Sequence, residues 1–72
     1  MKSQRNLFTA VIDREGKWYV AYCPEVGTAS QGRTIDQAID NLREATELYL
    51  EEFPVKEPRH PLITTFEAVA HA

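Results

Sequence analysis

One amphipathic segment, between Thr34 and Pro54, constrains the fold of this chain more than any other feature. Gln37 follows Thr34 at the spacing of a helix-capping box. Apolar residues then recur at helical spacing, at Ile35, Ala38, Ile39, Leu42, Ala45, Leu48, Tyr49 and Phe53. Pro54 ends the pattern, because proline disfavours helical geometry in the residue before it. The sequence therefore predicts one helix that begins after Thr34 and ends at Phe53.

Runs of β-branched and aromatic residues predict three strands before this helix and one after it. The predicted strands are Leu7 to Arg14, Lys17 to Cys23, Val26 to Gln31 and Leu62 to Val69. Gly16 indicates a tight turn, and a Glu15-Gly16 loop would set Ile12 opposite Tyr19. Pro54, Pro58 and Pro61 predict an extended connector after the helix.

The order β-β-β-α-β predicts an α+β fold with one mostly antiparallel four-stranded sheet and a single helix packed on one face. A right-handed crossover through the helix gives the strand order 3-2-1-4. The sequence leaves open whether the fourth strand pairs within the chain or across a dimer. We expect residues 1–72 to form a single domain.

The second predicted strand is apolar on both of its faces. Trp18, Val20 and Tyr22 alternate with Tyr19, Ala21 and Cys23. We therefore expect the helix to cover one face of the sheet and a partner chain to cover the other.

A chain of 72 residues buries only roughly 60% of the surface that it exposes when unfolded, so its stability margin is small. One cysteine excludes an intrachain disulfide, and two histidines far apart in sequence do not predict a metal site. Self-association is the remaining means of stabilisation, and we expect a homodimer or a higher homo-oligomer.

The charge balance favours a basic protein partner over a nucleic acid. Eleven acidic residues outnumber eight basic ones, which gives a net charge of −3. We therefore expect no direct nucleic-acid binding. The apolar run from Leu7 to Ile12 is too short for a signal peptide or a membrane span, so we expect a cytoplasmic protein with no membrane association.

The reactive side chains do not form a recognisable site. Cys23 precedes Pro24 and is predicted to be a small buried apolar residue. His60, among prolines, is expected to be exposed, and His71, one residue from Ala72, is expected to be disordered. The carboxylates lie along the outward face of the helix without metal-ligand spacing. We therefore predict no catalytic, metal-binding or cofactor-binding residues.

The predicted helix ends with Glu51 and Glu52 and has no basic residue in its last turn. These acids oppose the helix dipole. Two explanations remain open: Lys56 and Arg59 fold back on them, or they form an acidic ridge for a basic partner.

Two stretches of the sequence resemble HicB-like antitoxins. They are Gly16 to Glu25 and Ser30 to Thr34, followed by Ala38, Asn41-Leu42, Glu44-Ala45 and Leu48-Tyr49-Leu50. The resemblance covers about residues 7–52. It implies a partial RNase H-like fold without working nuclease carboxylates. It also implies a partner, a small basic HicA-like toxin that cleaves mRNA.

Two departures from the family pattern affect this expectation. Members often carry a C-terminal DNA-binding domain, whereas this sequence stops at Ala72, so we do not expect operator binding. The turn Pro24-Glu25-Val26-Gly27 lacks the second proline that is frequent in the family.

The expected function is therefore that of a non-catalytic protein-binding module that neutralises a HicA-like toxin. The expected partner-binding residues are Trp18, Tyr22, Pro24, Glu25, Glu44, Glu47 and Glu51. Two alternatives remain, a divergent RNase H-like hydrolase and a structural oligomeric accessory protein.

Overall fold

The computed structural model describes residues 6–54 and 62–71, and in these it contains three strands followed by one helix. The elements are β1 (Val11–Glu15), β2 (Trp18–Cys23), β3 (Thr28–Gly32) and α1 (Ile35–Glu52). The strands form an antiparallel sheet in the order β1-β2-β3. The α+β class is confirmed, as is the β-β-β-α order.

Helix α1 has the termini that the sequence predicts. The Thr34 hydroxyl accepts a hydrogen bond from the backbone N–H of Gln37 at 3.0 Å, and the Gln37 side chain accepts one from the Arg33 N–H at 2.7 Å. At the other end, the Phe53 N–H donates to the Tyr49 carbonyl at 2.8 Å, directly before Pro54. No helix among the described residues is long and apolar enough to cross a membrane.

The β1–β2 hairpin has a different register from the predicted one. Ile12 lies opposite Ala21, and Arg14 lies opposite Tyr19. The loop is Gly16-Lys17, with Gly16 in the left-handed region at a φ of 61°. The predicted pairing of Ile12 with Tyr19 is therefore wrong by two residues. An even shift leaves each side chain on its predicted face of the sheet.

The core lies between α1 and one face of the sheet, which we call the inner sheet face. Its buried apolar residues are Ala21 and Cys23 from β2 and Ala38 and Leu42 from α1. Gly32 permits a close approach of the helix, because a Cβ at this position would lie 2.5 Å from the Ala38 nitrogen. The prediction that Cys23 is a small buried apolar residue is confirmed.

Helix α1 packs mainly over β3 and β2. Two polar contacts fix it there. The hydroxyls of Thr28 and Thr46 lie 2.7 Å apart, and the Asn41 amide donates to the Gln31 carbonyl at 2.8 Å. The helix is therefore displaced from the β1 side of the sheet, where Ile12 is only partly buried.

The predicted fourth strand is not formed. Residues 62–71 contain no strand, and their side chains are exposed, with Leu62 at 90%, Phe66 at 87% and Val69 at 84%. A β-segment is held by backbone hydrogen bonds to a neighbouring strand and by cover on an apolar face, and this segment has neither in the described structure. The connector, with Lys56, Pro58, Arg59, His60 and Pro61, lies outside the described residues.

Replacing Leu42 by alanine tests the position of the core. Leu42 is 5% exposed, so Leu42→Ala should lower the free energy of unfolding by about 2–5 kcal/mol. The matched control is Leu48→Ala, on the same helix but 57% exposed, which should cost less than about 0.5 kcal/mol. Urea unfolding at one fixed protein concentration measures both. Equal losses would contradict the position of the core.

Candidate functional site

The apolar face of the sheet that points away from α1 carries two of the predicted partner-binding residues. We call it the outer sheet face. Its apolar members are Val11, Trp18, Val20 and Tyr22, and Asp13 and Glu15 lie on the same face, opposite Val20 and Trp18. Val11 is 47% exposed and Tyr22 is 45% exposed. The expectation that α1 covers one sheet face is confirmed, and the described chain leaves the other face uncovered.

Arg33 was not predicted to contribute to this surface. Its guanidinium lies 4.8 Å from the ring centroid of Trp18, which is a cation–π contact. The register of β2 and β3 explains the proximity. Tyr19 pairs with Gly32, so Trp18, which precedes Tyr19, lies opposite Arg33, which follows Gly32. The contact between Arg33 and Trp18 can be inferred only when the register of β2 and β3 is known.

The turn between β2 and β3 carries two more predicted residues, Pro24 and Glu25. The Glu25 carboxylate accepts hydrogen bonds from the Thr9 N–H at 2.9 and 3.1 Å and from the Thr9 hydroxyl at 2.6 Å. The Cys23 thiol donates to the same carboxylate at 3.4 Å. Glu25 therefore attaches the segment before β1 to the β2–β3 turn, an internal role that the sequence analysis did not predict. We call this contact the Glu25–Thr9 clamp.

Burial and hydrogen bonding change the acidity of Glu25 and of Cys23, the last residue of β2. Partial burial raises the pKa of Glu25, but the hydrogen bonds from Thr9 outweigh this and lower its pKa to about 2. Burial raises the pKa of the Cys23 thiol above its usual value, and its hydrogen bond to Glu25 acts in the same direction. Cys23 is therefore a poor nucleophile at neutral pH.

The remaining predicted residues, Glu44, Glu47 and Glu51, lie exposed on α1, and we call them the acidic ridge. The one guanidinium on this helix, at Arg43, pairs instead with Asp40 at 3.0 Å. The last turn has no basic residue. Lys56 and Arg59, which would fold back on the ridge in one explanation, lie outside the described residues.

A groove separates residues 6–10 from α1. It has a volume of about 410 Å³. Its apolar lining includes Leu7, Phe8, Ile39, Leu42 and Leu50, and Arg43 and Glu47 also contribute. The sequence did not predict this groove, because it depends on the Glu25–Thr9 clamp that holds residues 6–10 beside the helix.

The predicted partner-binding residues therefore do not form one site. Trp18 and Tyr22 are on the outer sheet face, while the acidic ridge is on the helix that covers the opposite face. Among residues 6–54 and 62–71, no group of three or more His, Cys, Asp or Glu side chains is arranged to hold a metal ion. The His71 side chain is exposed.

Comparison with known proteins finds three similar chains. A UPF0150 protein of Helicobacter pylori is 38% identical over 52 residues, which cover 71% of this chain and 72% of the relative. A UPF0150 protein of Thermotoga maritima is 44% identical over 55 residues, or 72% and 73% of the two chains. A UPF0150 protein of Synechocystis sp. is 44% identical over 46 residues, or 61% and 58%. No protein-family model matches the chain, and no solved structure is matched to it.

The Glu25–Thr9 clamp predicts a specific dependence of stability on pH. Because folding lowers the pKa of Glu25 from 4.5 to about 2, its contribution is complete above pH 4.5 and is lost as the pH falls towards 2. Glu25→Gln should remove this dependence. At neutral pH it should cost the lower end of about 1.5–3 kcal/mol, since the carboxylate is partly exposed.

Urea unfolding between pH 2 and pH 7 measures this effect. The control is Glu15→Gln, at an exposed carboxylate on β1, which should keep the pH dependence of the original chain. A Glu25→Gln variant that loses stability in acid as steeply as the original chain would show that the clamp does not contribute.

Proposed function

The chain belongs to the UPF0150 family, and we propose that it is a non-catalytic cytoplasmic module that binds and neutralises a small basic mRNA-cleaving toxin of the HicA kind. The resemblance of residues 7–52 to HicB-like antitoxins supports this assignment. The order of three antiparallel strands and a helix agrees with the first four elements of the partial RNase H-like fold that we include in the proposal.

The charge distribution of α1 is the main observation in support of the proposal. The helix has six carboxylates, at Asp36, Asp40, Glu44, Glu47, Glu51 and Glu52, against one guanidinium. Glu47 and Glu51 are four residues apart on one face, where like charges repel, and acids in the last turn oppose the helix dipole. The free chain is destabilised by this arrangement, and a basic partner would relieve it.

An acidic helix is suited to an RNA-cleaving partner in a particular way. A protein that binds RNA presents basic side chains to phosphates, and carboxylates on a complementary surface compete for the same side chains. Charge complementarity also accelerates encounter. We therefore propose that the acidic ridge covers the RNA-binding surface of the toxin.

The state of Cys23 supports the non-catalytic part of the proposal. Its thiol is 1% exposed, and burial raises its pKa, so it is neither accessible nor activated. Of the predicted partner-binding residues, Glu25 is already engaged by Thr9. The proposal therefore rests on the acidic ridge more than on the β2–β3 turn.

Neutralising the acidic ridge tests the proposed function. The variant Glu44→Gln/Glu47→Gln/Glu51→Gln should be slightly more stable than the original chain, because it removes like-charge repulsion and acids that oppose the dipole. It should associate with the toxin at least about ten-fold more slowly at low salt. The toxin is identified as a small basic protein that co-purifies with the tagged chain in near-equal amount and cleaves RNA when isolated.

The control removes the same three charges elsewhere, through Asp13→Asn, Glu15→Gln and Glu67→Gln, all at exposed positions off the helix. The control variant should inhibit the isolated toxin as well as the original chain does. Equal inhibition by all three proteins would exclude the acidic ridge as the binding surface. Cleavage of RNA or of an RNA–DNA hybrid by this chain alone, with magnesium or manganese, would overturn the non-catalytic assignment.

A further inference from the structure

The side chains of the outer sheet face form three rows that run across the three strands. The register of the sheet gives the rows Val11–Tyr22–Ala29, Asp13–Val20–Gln31 and Glu15–Trp18–Arg33. Arg33 follows β3 and continues its register, since its guanidinium contacts the Trp18 ring. The face therefore has two carboxylates on its β1 side, an apolar centre along β2, and an amide and a guanidinium on its β3 side.

The apolar centre of this face is accessible. Trp18 and Tyr22 are both partly exposed, with Val20 between them on the same strand. An antiparallel sheet whose second face meets only water is usually polar on that face. Adjoining exposed aromatic and β-branched side chains are typical of a surface that binds another protein.

The charges of the face are separated by its apolar centre. Glu15 and Arg33 lie on either side of Trp18, two strand spacings or about 10 Å apart. Within residues 6–54 and 62–71, neither Arg33 nor the carboxylates of Asp13 and Glu15 form an ion pair. The contact with Trp18 also holds the guanidinium at the face. Opposite charges are therefore present at fixed places, without partners in the described chain.

A two-fold rotation about an axis along β2, in the plane of the contact, makes this face complementary to itself. It lays β1 of one copy over β3 of the other, at the same level along the strands. Glu15 then faces the partner's Arg33, Asp13 faces the partner's Gln31, and Val11 faces the partner's Ala29. A carboxylate thus meets a guanidinium, a carboxylate meets an amide donor, and an apolar side chain meets an apolar one.

A two-fold axis across the strands lacks this complementarity. It lays β1 of one copy over β1 of the other in the opposite direction, so that Asp13 faces the partner's Asp13 and Glu15 faces the partner's Val11. Like charges are then opposed at the centre, and the carboxylate of Glu15 meets an apolar side chain. The charge distribution therefore selects the axis along β2.

We propose that the outer sheet face binds the same face of a second copy of this chain, through the two-fold axis along β2. The two sheets pack face to face with their strands within about 30° of each other, as in other aligned sheet pairs. Trp18, Val20 and Tyr22 meet their counterparts near the axis, and an ion pair between Glu15 and Arg33 forms on each side of it. The contact is isologous and therefore closes at two chains.

The charges of the face favour a second copy over other occupants. The exposed segment Leu62–Val69 of the same chain has one charged residue, Glu67, and would leave both Asp13 and Glu15 without a cation. A nucleic acid would place its phosphates against the same carboxylates. A uniformly basic protein would place its charges against Arg33. The proposal concerns this chain alone and does not rest on the proposed function.

A substitution at the apolar centre tests the contact. Sedimentation equilibrium of the full chain at micromolar concentration should give twice the 8.2 kDa of one chain. Tyr22→Lys should raise the dissociation constant by more than about ten-fold, because it places a charge in the apolar contact. The control is Leu48→Lys, at an exposed leucine on α1, which should leave the dissociation constant within about three-fold. Circular dichroism should show the helix signal of α1 in both variants.

Reversing one charge at a time tests the two-fold axis. Glu15→Arg opposes two guanidinium pairs across the contact, and Arg33→Glu opposes two carboxylate pairs. Each should raise the dissociation constant by at least about ten-fold at low salt. Glu15→Gln adds no like charge and retains an acceptor for Arg33, so it should change the constant by less than about three-fold. The control Glu44→Arg makes the same change of charge on α1 and should have no effect on dimerisation.

Mixing the two reversed variants gives the sharpest test. In a mixed pair the introduced arginine faces the introduced glutamate, and the unchanged Arg33 of one chain faces the unchanged Glu15 of the other. An equimolar mixture of Glu15→Arg and Arg33→Glu chains should therefore form dimers at concentrations at which each variant alone is monomeric.

Three results would overturn the proposal. One is an original chain that stays monomeric at micromolar concentration. Another is a dimer that Tyr22→Lys does not weaken, which would place the interface elsewhere on the chain. The third is a mixture of the two reversed variants that remains monomeric, which would exclude the axis along β2.

Discussion

The contact between α1 and the sheet is made by small residues, and the rest of the structure depends on it. Gly32 on β3 faces the backbone of Ala38, where a Cβ would lie 2.5 Å from nitrogen, and Ala21 is fully buried beneath the helix. The paired hydroxyls of Thr28 and Thr46 fix this short separation. A layer this thin has little room for large side chains, and Leu42 is the largest residue buried in it.

A thin core leaves several large apolar side chains exposed, although Phe8 and Tyr19 pack against its edge. Trp18 and Tyr22 lie on the outer sheet face, the Tyr49 and Phe53 rings pack at a tilt against each other at the end of α1, and Phe66 is almost fully exposed. The segment before β1 is attached both by the packing of Phe8 against the core and by the hydrogen bonds between Thr9 and Glu25. The Glu25–Thr9 clamp thus does two things. It stabilises the N-terminal segment, and it keeps the groove beside α1 open.

The parts of the fold that depend on local chemistry were predictable from the sequence. Thr34 and Gln37 define the start of α1 and Pro54 its end, because capping and proline geometry act over a few residues. Alternation along β2 gave the correct faces, since it requires only a period of two. The hairpin register was wrong because Gly16 fits either position of a two-residue loop.

Features that depend on distant partners were not predictable. The Glu25–Thr9 clamp joins residues sixteen positions apart, and Arg33 reaches Trp18 only through the pairing of β2 with β3. The strand propensity of Leu62–Val69 is visible in the sequence, but a strand also needs an edge to pair with. The strand propensity of Leu62–Val69 does not determine which strand edge, if any, the segment pairs with.

The groove and the acidic ridge share the helix α1, and Glu47 belongs to both. Filling the groove with an apolar group would remove water from one side of Glu47 and so strengthen the interaction of its carboxylate with a nearby positive charge. The occupancy of the groove and the charge of the acidic ridge are therefore physically coupled at this residue.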